Sequence, residues 1–269
     1  MASDSGKNTV LFIEPRKIIY VTNVLTRAVN VLKSNWNYVY YCGKGDKSYW
    51  ENILHPFIEI RELDVNNLTA DEYSIFLKKK GLWLSLSGEY VMTLQLDAWI
   101  VSCPPYTIDY FLNLNKSYIG GNTNYAWDTW EIHGVQTPKI RNFNGGLSLR
   151  KRKDMIRIID TFPLCDEYPP LPCQITNYPE DVYFTICGYL LNMNMGDDEA
   201  SSYFSVHTIY KNRCFGMHKI EKTNPYGPPS FHYDKNTDDV PKLVSIQYPR
   251  LKYINPYLSP SYKELIKNN

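Results

Sequence analysis

The amino-acid sequence predicts an α/β fold: one domain built on a mixed, mostly parallel sheet with helices on its faces. Three observations carry this reading. Residues 9 to 14, T-V-L-F-I-E, form a near-continuous apolar run of the kind that fills a parallel strand covered on both faces. Between Lys17 and Lys33, the residues Ile18, Val21, Leu25, Ala28 and Leu32 recur at helical spacing, and Tyr38 to Tyr41 resumes strand character, so this stretch reads as a βαβ unit. Finally, 269 residues with 43% hydrophobic content suffice to bury one core.

The remaining elements follow in order. Phe57 to Leu63 reads as a strand, and Thr69 to Lys80 as a helix with Asp71 and Glu72 in its first turn, where acidic side chains complement the helix dipole. Tyr90 to Ile100 reads as one long apolar strand, ended by Pro104 and Pro105, and Tyr106 to Leu114 as a helix. Tyr118 to Gly121 is a short strand before an irregular, tryptophan-rich segment from Asn122 to Lys139. The proline-rich stretch from Pro163 to Pro179 must be a loop, and Pro179 suits the first turn of a helix running to about Leu191. Residues 1 to 8 read as a flexible start, 9 to 222 as the domain, and 223 to 269, rich in Pro and Tyr, as an irregular extension packed on it.

Charge and composition exclude several function classes. With 29 basic against 28 acidic residues the net charge is +1, so no strong field draws the chain to nucleic acid or an acidic membrane, and no nucleic-acid partner is expected. The basic run Leu149-Arg-Lys-Arg-Lys153 lacks interleaved aromatics and reads as a solvated face. No apolar run approaches the ~18 residues of a membrane span, and the start M-A-S-D-S-G-K-N has no hydrophobic signal region, so we expect a soluble, cytoplasmic protein. Six cysteines without a C-x-x-C pair fit reduced thiols better than a disulfide frame or a zinc site.

The sharpest punctuation lies between Arg141 and Arg157. Asn144, Gly145 and Gly146 separate a short β-like run from an amphipathic segment, and paired glycines point to close backbone approach or to φ > 0. Ser148 is placed to cap a helix from Leu149 to Ile159, with Met155, Ile156 and Ile159 on its apolar face. A plain strand-to-helix turn accounts for the same residues.

N-G-G-x-S-L-R resembles the acceptor-side loop of nucleotide-sugar glycosyltransferases of the GT-A fold, where the backbone forms the floor under the transferred sugar. Four further motifs occur in the order one such family shows: T-V-L-F-I-E-P-R at 9 to 16, L-Q-L-D at 94 to 97, P-E-D-V-Y-F at 179 to 184 and F-G-M-H-K at 215 to 219. Over roughly residues 9 to 222 the chain resembles a family of glycosyltransferase-like proteins classed as a domain of unknown function and common in giant viruses, bacteria and protists. The resemblance implies a GT-A-like, Rossmann-like fold that transfers a sugar from a UDP- or GDP-sugar to a hydroxyl of a glycan or other acceptor. It further implies inversion, help from Mn²⁺ or Mg²⁺, and, for a viral source, the host cytoplasm. On the matching positions it implies nucleotide-sugar contacts from Glu14, Pro15, Arg16, Gln95, Asp97, Asn144, Gly145, Gly146 and Lys219, metal ligation by Asp97 and His218, and a general base at Asp181 with Glu180 beside it. Gln95 stands where the fuller D-x-D motif has an acid, and His207 where the family usually shows one. These departures favour, as the alternative, a degenerate protein that holds nucleotide or glycan without turnover. A second rival, transfer to modified DNA bases, needs a basic groove that the charge balance does not suggest.

Each residue also has a plainer reading. Glu14 and Arg16 could form an internal ion pair, Asp97 could be a cap or a salt-bridged acid, and His218 a satisfied histidine. Glu180 and Asp181 could be helix-dipole partners, which a helix N-terminus holds ionised with a lowered pKa. Trp127 and Trp130 suit core packing as well as stacking on a sugar face. In a fold whose strands converge on one crevice, Asp97 and His218 are expected to meet despite their separation in sequence.

Overall fold

A computed structural model of the chain describes residues 6–122, 131–132, 135–140, 144–164, 175–207, 211 and 213–218. The predicted C-terminal extension, Trp127, Trp130 and Lys219 lie outside the described residues. The first half runs β1 (Asn8–Ile13), α1 (Val21–Leu32), β2 (Trp36–Cys42), α2 (Lys47–Ile53), β3 (Ile58–Glu62), α3 (Ala70–Leu77), α4 (Lys80–Leu84), β4 (Tyr90–Leu94), β5 (Ala98–Ile100) and α5 (Ile108–Asn113). The second half runs β6 (Tyr118–Gly121), β7 (Glu131–Ile132), β8 (Val135–Gln136), β9 (Asn144–Lys151), α6 (Arg152–Thr161), α7 (Glu180–Leu190), α8 (Asp198–Phe204), β10 (Ser205–Val206) and β11 (Gly216–His218).

Six strands form the main sheet in the order β3-β2-β1-β4-β9-β6. The contacts among β3, β2, β1 and β4 are parallel, and both contacts of β9 are antiparallel. The expected mixed, mostly parallel α/β sheet is therefore present, with a Rossmann-like order at its centre. Strand alternation divides the core between its two faces. Val10, Phe12, Tyr38, Tyr40, Met92 and Leu94 pack with Leu25 and Ala28 of α1 and Phe111 of α5, while Leu11, Ile13, Val39 and Val91 pack with Trp83 of α4, Ile158 of α6 and Phe184 of α7. The order 3-2-1-4 reverses direction between β1 and β4, which opens a crevice at their carboxyl ends. A smaller sheet, β10-β11-β5, stands beside the main one.

The structure corrects four element assignments. Asn144 to Lys151 is a strand, not a turn and a helix start: Leu147 and Leu149 are buried on one face while Ser148 and Arg150 are buried on the other. Ser148 therefore caps nothing, and α6 begins at Arg152 without a side-chain cap. A serine and an arginine inside a buried strand mimic cap and helix charges when only sequence is considered; tertiary partners override that local preference. Tyr90 to Ile100 is also not one strand. The amide of Gln95 donates to the Gly146 carbonyl at 2.8 Å, that of Ala98 closes a turn onto the Gln95 carbonyl at 3.1 Å, and the chain enters the smaller sheet as β5. Leu96 sustains the apolar pattern across this break, which hides it. The first helix begins at Val21, after a loop from Pro15, and the helix from Thr69 divides at Lys78 into α3 and α4. Thr69 and Glu72 close a reciprocal capping box that fixes the start of α3.

Candidate functional site

A cleft of about 440 Å³ opens at the crevice between β1 and β4. Every predicted site residue that the structure describes lines it: Glu14, Pro15, Arg16, Gln95, Asp97, Asn144, Gly145, Gly146, Glu180, Asp181 and His218. Topology accounts for the convergence. β1 and β4 deliver their carboxyl ends to this edge, and β9, being antiparallel, delivers its amino end, so Asn144 to Gly146 arrive there as a strand terminus. The N-terminus of α7 and the loop leading into α3 supply the remaining walls.

On the first wall, Arg16 grips Glu14 in a two-pronged contact, Nε donating to Oε1 at 2.7 Å and Nη2 to Oε2 at 2.6 Å. The internal ion pair is thus what the structure shows, with Glu14 buried and the Arg16 side chain 53% exposed at the rim. Gly43 lets this corner close, because a Cβ there would lie 2.1 Å from the Pro15 carbonyl oxygen.

On the second wall, β11 pairs antiparallel with β5 so that His218 lies opposite Ala98, the residue after Asp97. Nε2 of His218 is 3.1 Å from Oδ1 of Asp97. The distance is that of an ion pair, yet the carboxylate lies off the ring N–H line, and both ring nitrogens of this 1%-exposed histidine lack a hydrogen-bond partner. The ring lies against Gly146, whose Cβ would fall 2.0 Å from Nε2, and stacks on His207 with centroids 5.3 Å apart. The network around His207 assigns its tautomer: Asn144 Nδ2 donates to Nε2 at 3.4 Å, and Nδ1 donates to the His218 carbonyl at 3.3 Å. His207 therefore supports both Asn144 and β11 from behind the cleft.

On the third wall, Glu180 and Asp181 open α7 and occupy its terminal amides themselves. Glu180 Oε2 accepts from the Asp181 amide at 2.7 Å, and Asp181 Oδ1 accepts from the Val182 amide at 2.8 Å. Asp181 Oδ2 accepts from the Gly145 amide at 3.1 Å, tying helix to strand. The other oxygen of Glu180, Oε1, accepts from Arg150 Nη2 at 2.8 Å. Glu180 is buried, whereas Asp181 keeps part of its surface open to the cleft. Burial first, and the neighbouring charge of Glu180 second, push the Asp181 carboxyl up to about 7, against the pull of the Val182 and Gly145 amides and of Arg150. The expected lowering by the helix N-terminus is thus outweighed.

Neither Gly145 nor Gly146 has a positive φ. Their role is space: a Cβ on Gly145 would sit 2.6 Å from both Arg150 Nη2 and Glu180 Oε1, and one on Gly146 would strike the His218 ring. The same cleft holds residues that the sequence reading passed over. Tyr73 of α3 lines it and meets the Gln95 side chain, and Ser74 Oγ accepts from the Glu180 amide at 3.2 Å. Arg150, assigned from sequence to a solvated face, is wholly buried. Its alternation with Leu147 and Leu149 along a strand was the signal that could have revealed it.

Among the described residues, no group of three or more His, Cys, Asp or Glu is arranged to hold a metal ion, and no helix is long and apolar enough to cross a membrane. No curated protein matches the sequence. The model of the family described as "Protein of unknown function (DUF5672)" matches residues 57–225, more than half of the chain, and the chain belongs to that family.

Proposed function

We propose that this member of the DUF5672 family is a nucleotide-sugar-dependent glycosyltransferase of GT-A-like architecture, using a UDP- or GDP-sugar and inverting the anomeric centre. One observation supports this most: a single cleft unites a buried, unsatisfied histidine beside a carboxylate, a partly open carboxylate of raised pKa, and a two-glycine backbone floor between them.

In this reading the nucleoside lies at the end of β1 against Glu14, Pro15 and Arg16. Glu14 is paired with Arg16 and Glu180 with Arg150, so a diphosphate would meet the carboxylates of Asp97 and, above about pH 7, of Asp181 unless a cation offset them. Asp97 and His218 are the residues that would hold Mn²⁺ or Mg²⁺. A carboxylate and an imidazole 3.1 Å apart, the imidazole nitrogen without a hydrogen-bond partner, are a donor pair that would suit such an ion. When bound, such an ion supplies electrostatic stabilisation of the leaving diphosphate. Asp181 accepts the acceptor hydroxyl's proton while that oxygen's electron pair bonds to the anomeric carbon. The bond from that carbon to phosphate oxygen breaks, and its electrons leave with the nucleoside diphosphate.

The test is a thermal-shift panel of UDP- and GDP-sugars with Mn²⁺ and with chelator, followed by titration calorimetry. Asp97→Asn is expected to abolish the Mn²⁺-dependent part of donor binding while leaving the ligand-free protein folded. Equal donor affinity with Mn²⁺ and with chelator removes the cation from the reading. The degenerate, binding-only alternative draws on Gln95 and on the two-residue candidate ligand set among the described residues. Donor binding without product selects it, and the anomeric configuration of any product, read by NMR, decides between inversion and retention.

A further inference from the structure

A chain of buried polar groups runs behind the cleft. The hydroxyls of Thr93 and Ser148 are hydrogen-bonded to each other, Arg150 Nε donates to Ser148 Oγ at 2.8 Å, and Arg150 Nη2 donates to Glu180 Oε1 at 2.8 Å. Glu180 then accepts the Asp181 amide through its second oxygen. The guanidinium lies 4.9 Å from the Tyr118 ring centroid and 5.4 Å from that of Phe184, and its Nη1 is buried without a hydrogen-bond partner. An apolar pair of similar volume would serve stability as well as this ion pair, because burying two charges costs most of what their attraction returns. Stability alone therefore does not explain the relay.

We propose that Arg150 is a positioning residue for Asp181: acting through Glu180 it anchors the first turn of α7, and the two buried charges together set the charge that Asp181 presents to the cleft. The geometry separates the roles of the two neighbouring acids. Glu180 is buried with both oxygens committed, one to Arg150 and one to the Asp181 amide, and so holds rather than reacts. Asp181 binds one amide through each oxygen and keeps surface in the cleft. The ionisable groups facing it are Glu180 on its own helix, Arg150 from β9 and Tyr118 from β6. Glu180 and Arg150 act on it in opposite senses, the first raising and the second lowering its affinity for a proton. The catalytic meaning of this arrangement rests on the glycosyltransferase reading; the arrangement itself does not.

A carboxyl ¹³C NMR titration of Asp181, assigned by the resonance lost in Asp181→Asn, tests it without substrate. Glu180→Gln is expected to lower the Asp181 midpoint by about one pH unit. The double variant Arg150→Met/Glu180→Gln neutralises the buried pair without stranding a charge, and its midpoint is expected to return upward from that of Glu180→Gln by a similar amount. Arg150→Lys, which keeps the charge, is expected to stay close to wild type. A Glu180→Gln midpoint equal to wild type, or a double variant equal to Glu180→Gln, overturns the proposal. Failure of the glycosyltransferase reading would show instead as the absence of any sugar transfer, with the titration shifts intact.

Discussion

Asp181→Asn is expected to leave donor binding nearly unchanged and to lower sugar transfer by the roughly 10²- to 10⁴-fold that accompanies loss of a general base. The carboxylate accepts from both the Gly145 and Val182 amides, so the amide variant keeps the size of the side chain and one of these two acceptors, gives up the other, and loses the basic oxygen. With its carboxyl held up to about 7, Asp181 is ionised only as pH passes through that value. Wild-type transfer should therefore rise with pH across 7, and the residual activity of Asp181→Asn should lack that limb. The same group makes a stability prediction with a definite sign. The folded carboxyl keeps its proton to higher pH than the unfolded one, near 3.9, so the native state binds more protons between the two values. Its contribution to stability is fully present below the unfolded pKa and is lost as pH rises through the folded one. Asp181→Asn removes this loss: its Tm relative to wild type should rise between pH 4 and pH 8, by roughly 2–4 °C per kcal/mol gained. Transfer at the wild-type rate by a folded Asp181→Asn would end the assignment of Asp181 as base, and a Tm difference independent of pH would end the account of its ionisation.

That trade of stability for reactivity is invisible to local sequence. E-D at a helix start reads as a dipole partnership, and the amides it binds do pull its pKa down; what reverses the outcome is burial and the fixed proximity of Glu180, both products of tertiary packing. Local features survived better. The apolar run of β1, the helical spacing of α1 and the proline before α7 each carry their own signal, and together they place the switch point and two of its walls. Asp97 and His218 meet only because β11 pairs with β5, a contact between distant segments that ordered motifs suggested and spacing did not. The N-G-G-L-S-L-R stretch was legible as important and misread in form. Its glycines and its serine are common to turns and caps, and only the buried partners of Arg150 make a strand the better solution.

Those glycines supply the second large effect. Gly145→Ala is expected to cost about 3–5 kcal/mol of stability, the range seen when a buried ion pair is broken, with a fall in Tm on the order of 10 °C. Backbone strain is not the cause, since neither glycine has a positive φ. The added methyl would stand 2.6 Å from Arg150 Nη2, 2.6 Å from Glu180 Oε1 and 3.0 Å from Asp181 Cβ, in a place where the first two atoms are only 2.8 Å apart. Gly146→Ala meets a different neighbour. The His218 ring is a side-chain end with no hydrogen bond on either nitrogen, though buried, and to make room it must give up its stack on His207 and its place 3.1 Å from Asp97. Gly146→Ala should therefore remain folded and lose the Mn²⁺-dependent part of donor binding, as Asp97→Asn does, while Gly145→Ala loses stability first. If the Gly145 effect comes from the ion pair, it should shrink in the Arg150→Met/Glu180→Gln background, where no buried charges remain to separate. Denaturant midpoints of the four proteins measure that coupling. Equal costs for Gly145→Ala in the two backgrounds would mean that the methyl acts by steric contact with the side chains at 180 and 181, and that separating the Arg150–Glu180 charges contributes nothing.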